Sequence, residues 1–144
     1  MLRQLLVGGT ISLGNIAIHA AVMMAVVTTA RLALKWGRHR VRMWLATVMV
    51  ATVGILMIAH AAEVMVWSLA YGILGVVPPG ADVQYFAFVN YTTLGYGDLV
   101  PVERWKLLGP ITAMNGVLLF GWSTAVIFEV LRQAMHNLDG RNDP

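Results

Sequence analysis

The chain has 144 residues, 58% of them hydrophobic and only 12% charged, and its mean hydropathy of +0.71 is more apolar than a soluble domain of this length can cover with polar surface. The 10 Lys and Arg and 7 Asp and Glu gather between and beyond long uncharged stretches, and no basic patch alternates with stacking aromatics, so a nucleic-acid partner is not expected. Cysteine is absent, which excludes disulfides, thiolate metal sites and a cysteine nucleophile.

Residues 5–30 carry no charge. As a helix they reach roughly 39 Å, enough to cross a hydrocarbon core of about 30 Å and too long for the apolar part of a signal peptide. A second apolar run, 43–75, contains one charged residue, Glu63, and ends in the helix-breaking Gly75-Val76-Val77-Pro78-Pro79-Gly80. A third, 107–131, contains one acidic residue, Glu129, and has Pro110 near its start, where a missing backbone donor does least harm. The pattern predicts an all-α membrane protein with three transmembrane helices.

Between the first two runs lie Arg31, Lys35, Arg38, Arg40 and Arg42, whereas the 76–83 loop has no basic residue. The positive-inside bias therefore puts the first linker in the cytoplasm, the amino terminus outside and the carboxyl terminus inside, and it suits contact with anionic lipid. Trp36 and Trp44 are expected at the inner interface and Trp105 at the outer one. The spacing of Arg31, Lys35, Arg38 and Arg42 aligns them on one helical face, yet they sit between spans rather than within one, which speaks against a voltage sensor.

Residues 82–101 are too few to cross the bilayer and return as two full helices, so the segment is expected to dip in and come back. Such backbone is tolerated at membrane depth only where it is buried in protein or lines a watery cavity. Asp82 is placed to cap a short helix, 83–92, whose carboxyl end would aim partial negative charge inward and favour a cation.

Thr93-Leu94-Gly95-Tyr96-Gly97-Asp98 follows. Carbonyls of Thr93, Leu94, Gly95 and Tyr96, with the Thr93 hydroxyl, can replace the hydration shell of a cation, and Gly95 and Gly97 permit the alternating backbone hand that this requires. These six residues resemble the selectivity-filter signature of the potassium-channel pore family. The resemblance covers roughly residues 43–135 and extends to Tyr85-Phe86, to the doubled Thr92-Thr93, to Asp98, Leu99 and Pro101, and to Gly116, Phe120 and Gly121 in the third span.

The whole is similar to short bacterial members of the ion-channel family with one extra amino-terminal helix. It implies a filter at 93–98 supported by Thr92, Asp98 and Tyr85, and a gating hinge at Gly116 with cavity-lining residues below it. Some family members carry a pore-helix glutamate where this chain has Val89. Asp98 is expected to accept a hydrogen bond from the Tyr85 hydroxyl instead.

The resulting organisation is an amino-terminal helix and basic linker at 1–42, a pore module at 43–135 (outer helix 43–75, pore helix 83–92, filter 93–98, inner helix 105–135) and a short cytoplasmic tail at 136–144. One chain brings one filter strand, so a homotetramer around a central pore is expected. Gly116, Phe120, Thr124 and Phe128 recur every fourth residue and are assigned to the central cavity. Gly8, Gly9, Ser12 and Gly14 offer small surfaces for helix packing. Asn115 either lines the cavity or bonds across helices, and Glu129 and Arg132 are spaced to pair.

His19, near the middle of the first span, and His60 and Glu63 in the second form a candidate polar cluster. It is open to reading as a pH sensor, a metal site or an interhelical clasp.

The function expected is passive, potassium-selective conduction in the plasma (inner) membrane, without a voltage sensor or attached ligand-binding domain. K+ is the permeant ion, and no organic cofactor is expected. The alternative is a membrane subunit of a potassium uptake system that depends on a cytoplasmic regulatory partner. No serine, histidine and carboxylate set converges on a cleft, so an enzyme is not expected.

Overall fold

A computed structural model describes residues 1–36 and 41–139. Arg38 and Arg40 of the basic linker and residues 140–144 of the tail lie outside the described residues.

The described chain is all-helical, with α1 (Leu2–Trp36), α2 (Val41–Leu74), α3 (Val83–Tyr91) and α4 (Leu108–Asp139), and a single 3-10 turn (Glu103–Trp105) ahead of α4. Three stretches are long and apolar enough to cross a membrane, Leu2–Ala33 in α1, Met43–Leu74 in α2 and Glu103–His136, which runs from the 3-10 turn through α4. The outer helix expected over 43–75 is α2. The inner helix expected from 105 instead begins as an α-helix at Leu108, because the 3-10 turn takes up the residues after Pro101. At the other end, α4 continues to Asp139, into the stretch read as a tail.

Cross-helix pairs fix the directions. Gly8 faces Ile111 and Asn15 meets Asn115, so α1 and α4 run parallel. Tyr71 meets Thr112 and His60 meets Ser123, so α2 runs antiparallel to α4. The amino-terminal helix packs more extensively on α4 than on α2. Gln4 at its start accepts a 2.7 Å hydrogen bond from the Leu107 amide, one of the donors that a helix start leaves without an intrahelical partner. Of the glycines on α1, Gly8 is the one in close contact, since a Cβ there would stand 2.8 Å from Ile111 Cδ1, whereas Gly9 and Gly14 have open space.

Two apolar clusters hold the helices together. One joins Met23, Val26 and Ala30 of α1, Val48 and Leu56 of α2, and Val126, Val130 and Ala134 of α4. The other joins Val64, Trp67 and Tyr71 of α2, Phe86, Ala87 and Tyr91 of α3, and Val76, Trp105 and Leu108. Between them along the helix axes lies a layer of buried polar side chains, Asn15, His19, Glu63, Asn115 and Ser123.

Trp105 corrects the sequence reading. It is only 3% exposed, its indole N–H donates to the Leu74 carbonyl at 2.9 Å, and the Arg3 guanidinium lies 4.9 Å from its ring centre. The ring thus satisfies a carbonyl at the end of α2 rather than standing in an interfacial belt. Many apolar side chains elsewhere face outward, among them Leu13, Met24, Ile58 and Ile73, as suits helices solvated by lipid.

Candidate functional site

The short helix α3 is set by its ends. Asp82 is extended, and its carboxylate accepts the Tyr85 amide at 3.0 Å, satisfying one free donor of the first turn. At the other end the Thr92 amide donates to the Phe88 carbonyl and the Leu94 amide to the Val89 carbonyl, which winds the chain out of the helix. Helix α3 packs between α2 and α4, with Phe86, Ala87, Val89 and Tyr91 buried.

From there the backbone alternates in hand. Thr93 has φ 61°, Gly95 59° and Gly97 78°, while Leu94 and Tyr96 keep negative φ. Glycine was expected at two of these positions for this reason. Thr93 was not, because a β-branched residue at positive φ is strained by about 1–3 kcal/mol. Alternation of this kind turns successive carbonyls toward one side of a strand. Residues 92–98 are all exposed within the single chain, Leu94 at 54% and Tyr96 at 68%, so the chain alone does not brace the Tyr96 ring.

The Tyr85 hydroxyl donates to Asp98 Oδ2 at 2.8 Å, the bond expected from the sequence, and Asp98 Oδ1 accepts the Leu99 amide at 3.1 Å. The bond to Asp98 raises the Tyr85 phenol above its ordinary range, because ionising it would place two negative charges together. The Thr92 hydroxyl bonds back to the Phe88 carbonyl. With Val89 in α3, Tyr85 is the described side chain that ties this helix to Asp98.

Gly116, expected as a hinge, is buried against the end of α3, where a Cβ would collide with the Tyr91 carbonyl oxygen. Its lack of a side chain is what lets α4 reach the residue two positions before Thr93. Phe120 lies against Tyr91 and His60, at ring separations of 5.4 and 4.5 Å. Gly121 has open space around it, and the exposed Thr124 bonds its own helix at the Phe120 carbonyl. The buried stripe of α4 runs instead through Thr112, Asn115, Leu119, Ser123, Val126 and Val130, leaving Phe120, Thr124 and Phe128 on an exposed face.

His19, His60 and Glu63 come together behind α3. Glu63 Oε1 accepts from His19 Nδ1 at 2.7 Å, and Oε2 from His60 Nδ1 at 3.0 Å and, through a short bond, from the Tyr91 hydroxyl. Ser123 Oγ stands 2.9 Å from His60 Nε2 and 3.4 Å from His19 Nε2. Beside them Asn115 Oδ1 accepts from Trp67 and from Asn15, whose amide also donates to the Glu63 carbonyl.

Sequence reasoning missed Tyr91, Ser123, Asn15 and Trp67. Asn15 lies one helical turn from His19, and Asn115 and Ser123 stand eight residues apart on the same face, which is the signal that was available. Glu129 and Arg132 form their expected pair at 2.8 Å, and Arg31 of α1 approaches the same carboxylate at 3.9 Å.

No curated protein and no solved structure matches the chain. The family model described as Ion channel matches residues 60–133, just over half of the chain, from His60 through α3 and the 93–98 strand to Gln133. This points to a channel rather than an enzyme. The chain belongs to the ion-channel family and is a multi-pass membrane protein, consistent with the potassium-channel pore family that its 93–98 sequence resembles.

Proposed function

We propose that the chain is one subunit of a homotetramer that conducts K+ passively and selectively across the plasma membrane, with residues 93–97 of each subunit lining the narrowest part of the pore. The observation that carries this reading is the 93–98 strand. It alternates in hand at Thr93, Gly95 and Gly97, it is anchored to α3 through Tyr85 and Asp98, and it is exposed in the isolated chain. Surrounding a dehydrated cation with oxygen takes several such strands, and four identical chains supply them with closed symmetry.

In this assembly α3 is a re-entrant pore helix. Its nine residues reach only about 13 Å, too short to span, and its carboxyl end leads directly into the strand. The exposed face of α4 at Phe120, Thr124 and Phe128 lines the cavity below. Parallel α1 and α4 with antiparallel α2 fit three crossings, with the amino terminus outside and the carboxyl terminus in the cytoplasm. The basic residues after α1 then meet anionic headgroups.

The mass of the detergent-solubilised assembly and its melting temperature in KCl and in NaCl test this reading together. Four chains are expected, melting higher in K+, because an ion bound only by the folded assembly at 100 times its Kd adds about 2.7 kcal/mol. A stable dimer or trimer, or equal melting in both salts, would contradict the proposal.

A further inference from the structure

We propose that His19, His60 and Glu63 form a site for a divalent ion of the zinc class, held among the helices behind the pore helix. The ligand atoms of the three residues lie within 4.8 Å of one another, with His19 and Glu63 fully buried and His60 partly so. In a tetrahedral zinc site, bonds of about 2.0–2.1 Å set ligand atoms roughly 3.3 Å apart. His19 Nδ1 stands 2.7 Å from Glu63 Oε1 and His60 Nδ1 3.0 Å from Oε2, both shorter than that edge, so an ion would have to push the side chains apart and draw both nitrogens toward one carboxylate oxygen. Tyr91 Oη, 2.9 Å from His60 Nδ1, offers the fourth ligand. Two imidazoles with oxygen donors suit zinc, cobalt or nickel rather than magnesium or calcium.

The surroundings of the ligands point the same way. With both imidazoles neutral and both Nδ1–H groups facing Glu63, both Nε2 atoms are acceptors, and they meet the same oxygen, Ser123 Oγ, at 2.9 and 3.4 Å. A hydroxyl has one proton and cannot serve both. When a metal takes the two Nδ1 positions, each imidazole keeps its one proton at Nε2. Both N–H groups can then donate to the two lone pairs of Ser123 Oγ. A metal-bound histidine that donates its other N–H to a neighbouring oxygen is the usual supporting arrangement. Glu63 is held likewise by Tyr91, and its backbone carbonyl by Asn15. The site draws one ligand from α1, two from α2 and one from α3, with Ser123 of α4 behind them, so a bound ion would tie all four helices at the root of the 93–98 strand.

This inference does not rest on potassium conduction, since metal content can be read on protein that conducts nothing. The test takes full-length protein in detergent, strips it with chelator, and dialyses it against zinc or cobalt. Wild type is expected to keep one zinc per chain and to give the intense visible bands of tetrahedral cobalt. His19→Gln should lose both, and Ser123→Ala, which retains every ligand, should bind zinc about tenfold more weakly or worse. His136→Ala, on the exposed surface of α4, should bind as wild type does and so exclude surface uptake. Tyr91→Phe should retain zinc and alter the cobalt spectrum. Zinc content in wild type no higher than in His19→Gln, octahedral cobalt, or zinc affinity unchanged in Ser123→Ala would overturn the site and leave the cluster as a hydrogen-bonded clasp.

Discussion

The 93–98 strand and the polar layer behind it lie only a few residues apart at Tyr91, yet they are built in opposite ways. The strand is six consecutive residues, exposed in the chain, and its proposed ion contacts reside in backbone oxygens whose directions follow from φ at Thr93, Gly95 and Gly97. The layer gathers buried side chains from α1, α2 and α4, from Asn15 to Ser123, joined by the Tyr91 hydroxyl of α3, and its chemistry resides in which atoms meet. A backbone site tolerates exposure because its geometry is local. A side-chain site in a membrane interior exists only through packing, and each of its members left without a partner is costly.

Substitutions can break that contrast, and the largest effect is expected in the layer. Glu63→Leu leaves His19, His60 and Tyr91 without their shared acceptor and should destabilise the fold by about 3–5 kcal/mol, read as a lower melting temperature of the detergent-solubilised protein. Unchanged melting would mean that the layer contributes nothing to stability.

Tyr91→Phe removes one charge-assisted bond at almost constant volume, and about 1.5–3 kcal/mol should be lost. The same measurement in a Glu63→Leu background should show little further loss, since the acceptor has already gone; full additivity would argue that the two residues act independently.

Gly116→Ala should cost about 1–3 kcal/mol, because its Cβ meets the Tyr91 backbone rather than a yielding side chain. Gly121→Ala, where the space is open, should stay within about 0.5 kcal/mol. Equal effects at the two glycines would remove the close contact of α4 and α3 from the account.

The smallest effect is expected at the strand's own anchor. Tyr85 is only half-buried and its partner Asp98 is exposed, so Tyr85→Phe should leave melting almost unchanged while altering how the 93–98 strand recovers after K+ is withdrawn and restored. The phenol is raised by its bond to Asp98, so that bond is intact below the ordinary tyrosine range and is lost as pH climbs through the raised value. An ultraviolet titration of Asp98→Asn should find Tyr85 ionising at lower pH than in wild type. An unchanged titration would show that the bond is not formed in solution.

The same contrast explains what was legible in the sequence. The three long helices were readable from charge-free runs, Asp82 from its place at the start of a short segment, and Tyr85 and Asp98 from the family resemblance. His19, His60 and Glu63 drew notice because ionisable groups are rare in apolar spans. Tyr91, Ser123 and Asn15 did not, since an aromatic or small polar residue in such a run is ordinary until a neighbouring helix is laid against it.

Trp105 was misplaced for a related reason: an indole near a span's end fits a lipid interface or a helix clasp equally well by composition, and only the Leu74 carbonyl beside it decides. Gly116 was noticed as a hinge, while its contact with Tyr91 emerges from how α4 crosses α3. Thr93 at positive φ ran against residue preference, since a β-branched residue is rarely held there.

The most direct test of the central claim is ion uptake into proteoliposomes holding the purified protein, with K+, Rb+ and Na+ compared and Gly95→Ala as the control. The account predicts K+ and Rb+ uptake well above Na+, abolished by the substitution because a Cβ at φ 59° distorts the strand. Equal Na+ uptake, or K+ uptake undiminished in Gly95→Ala, would contradict it.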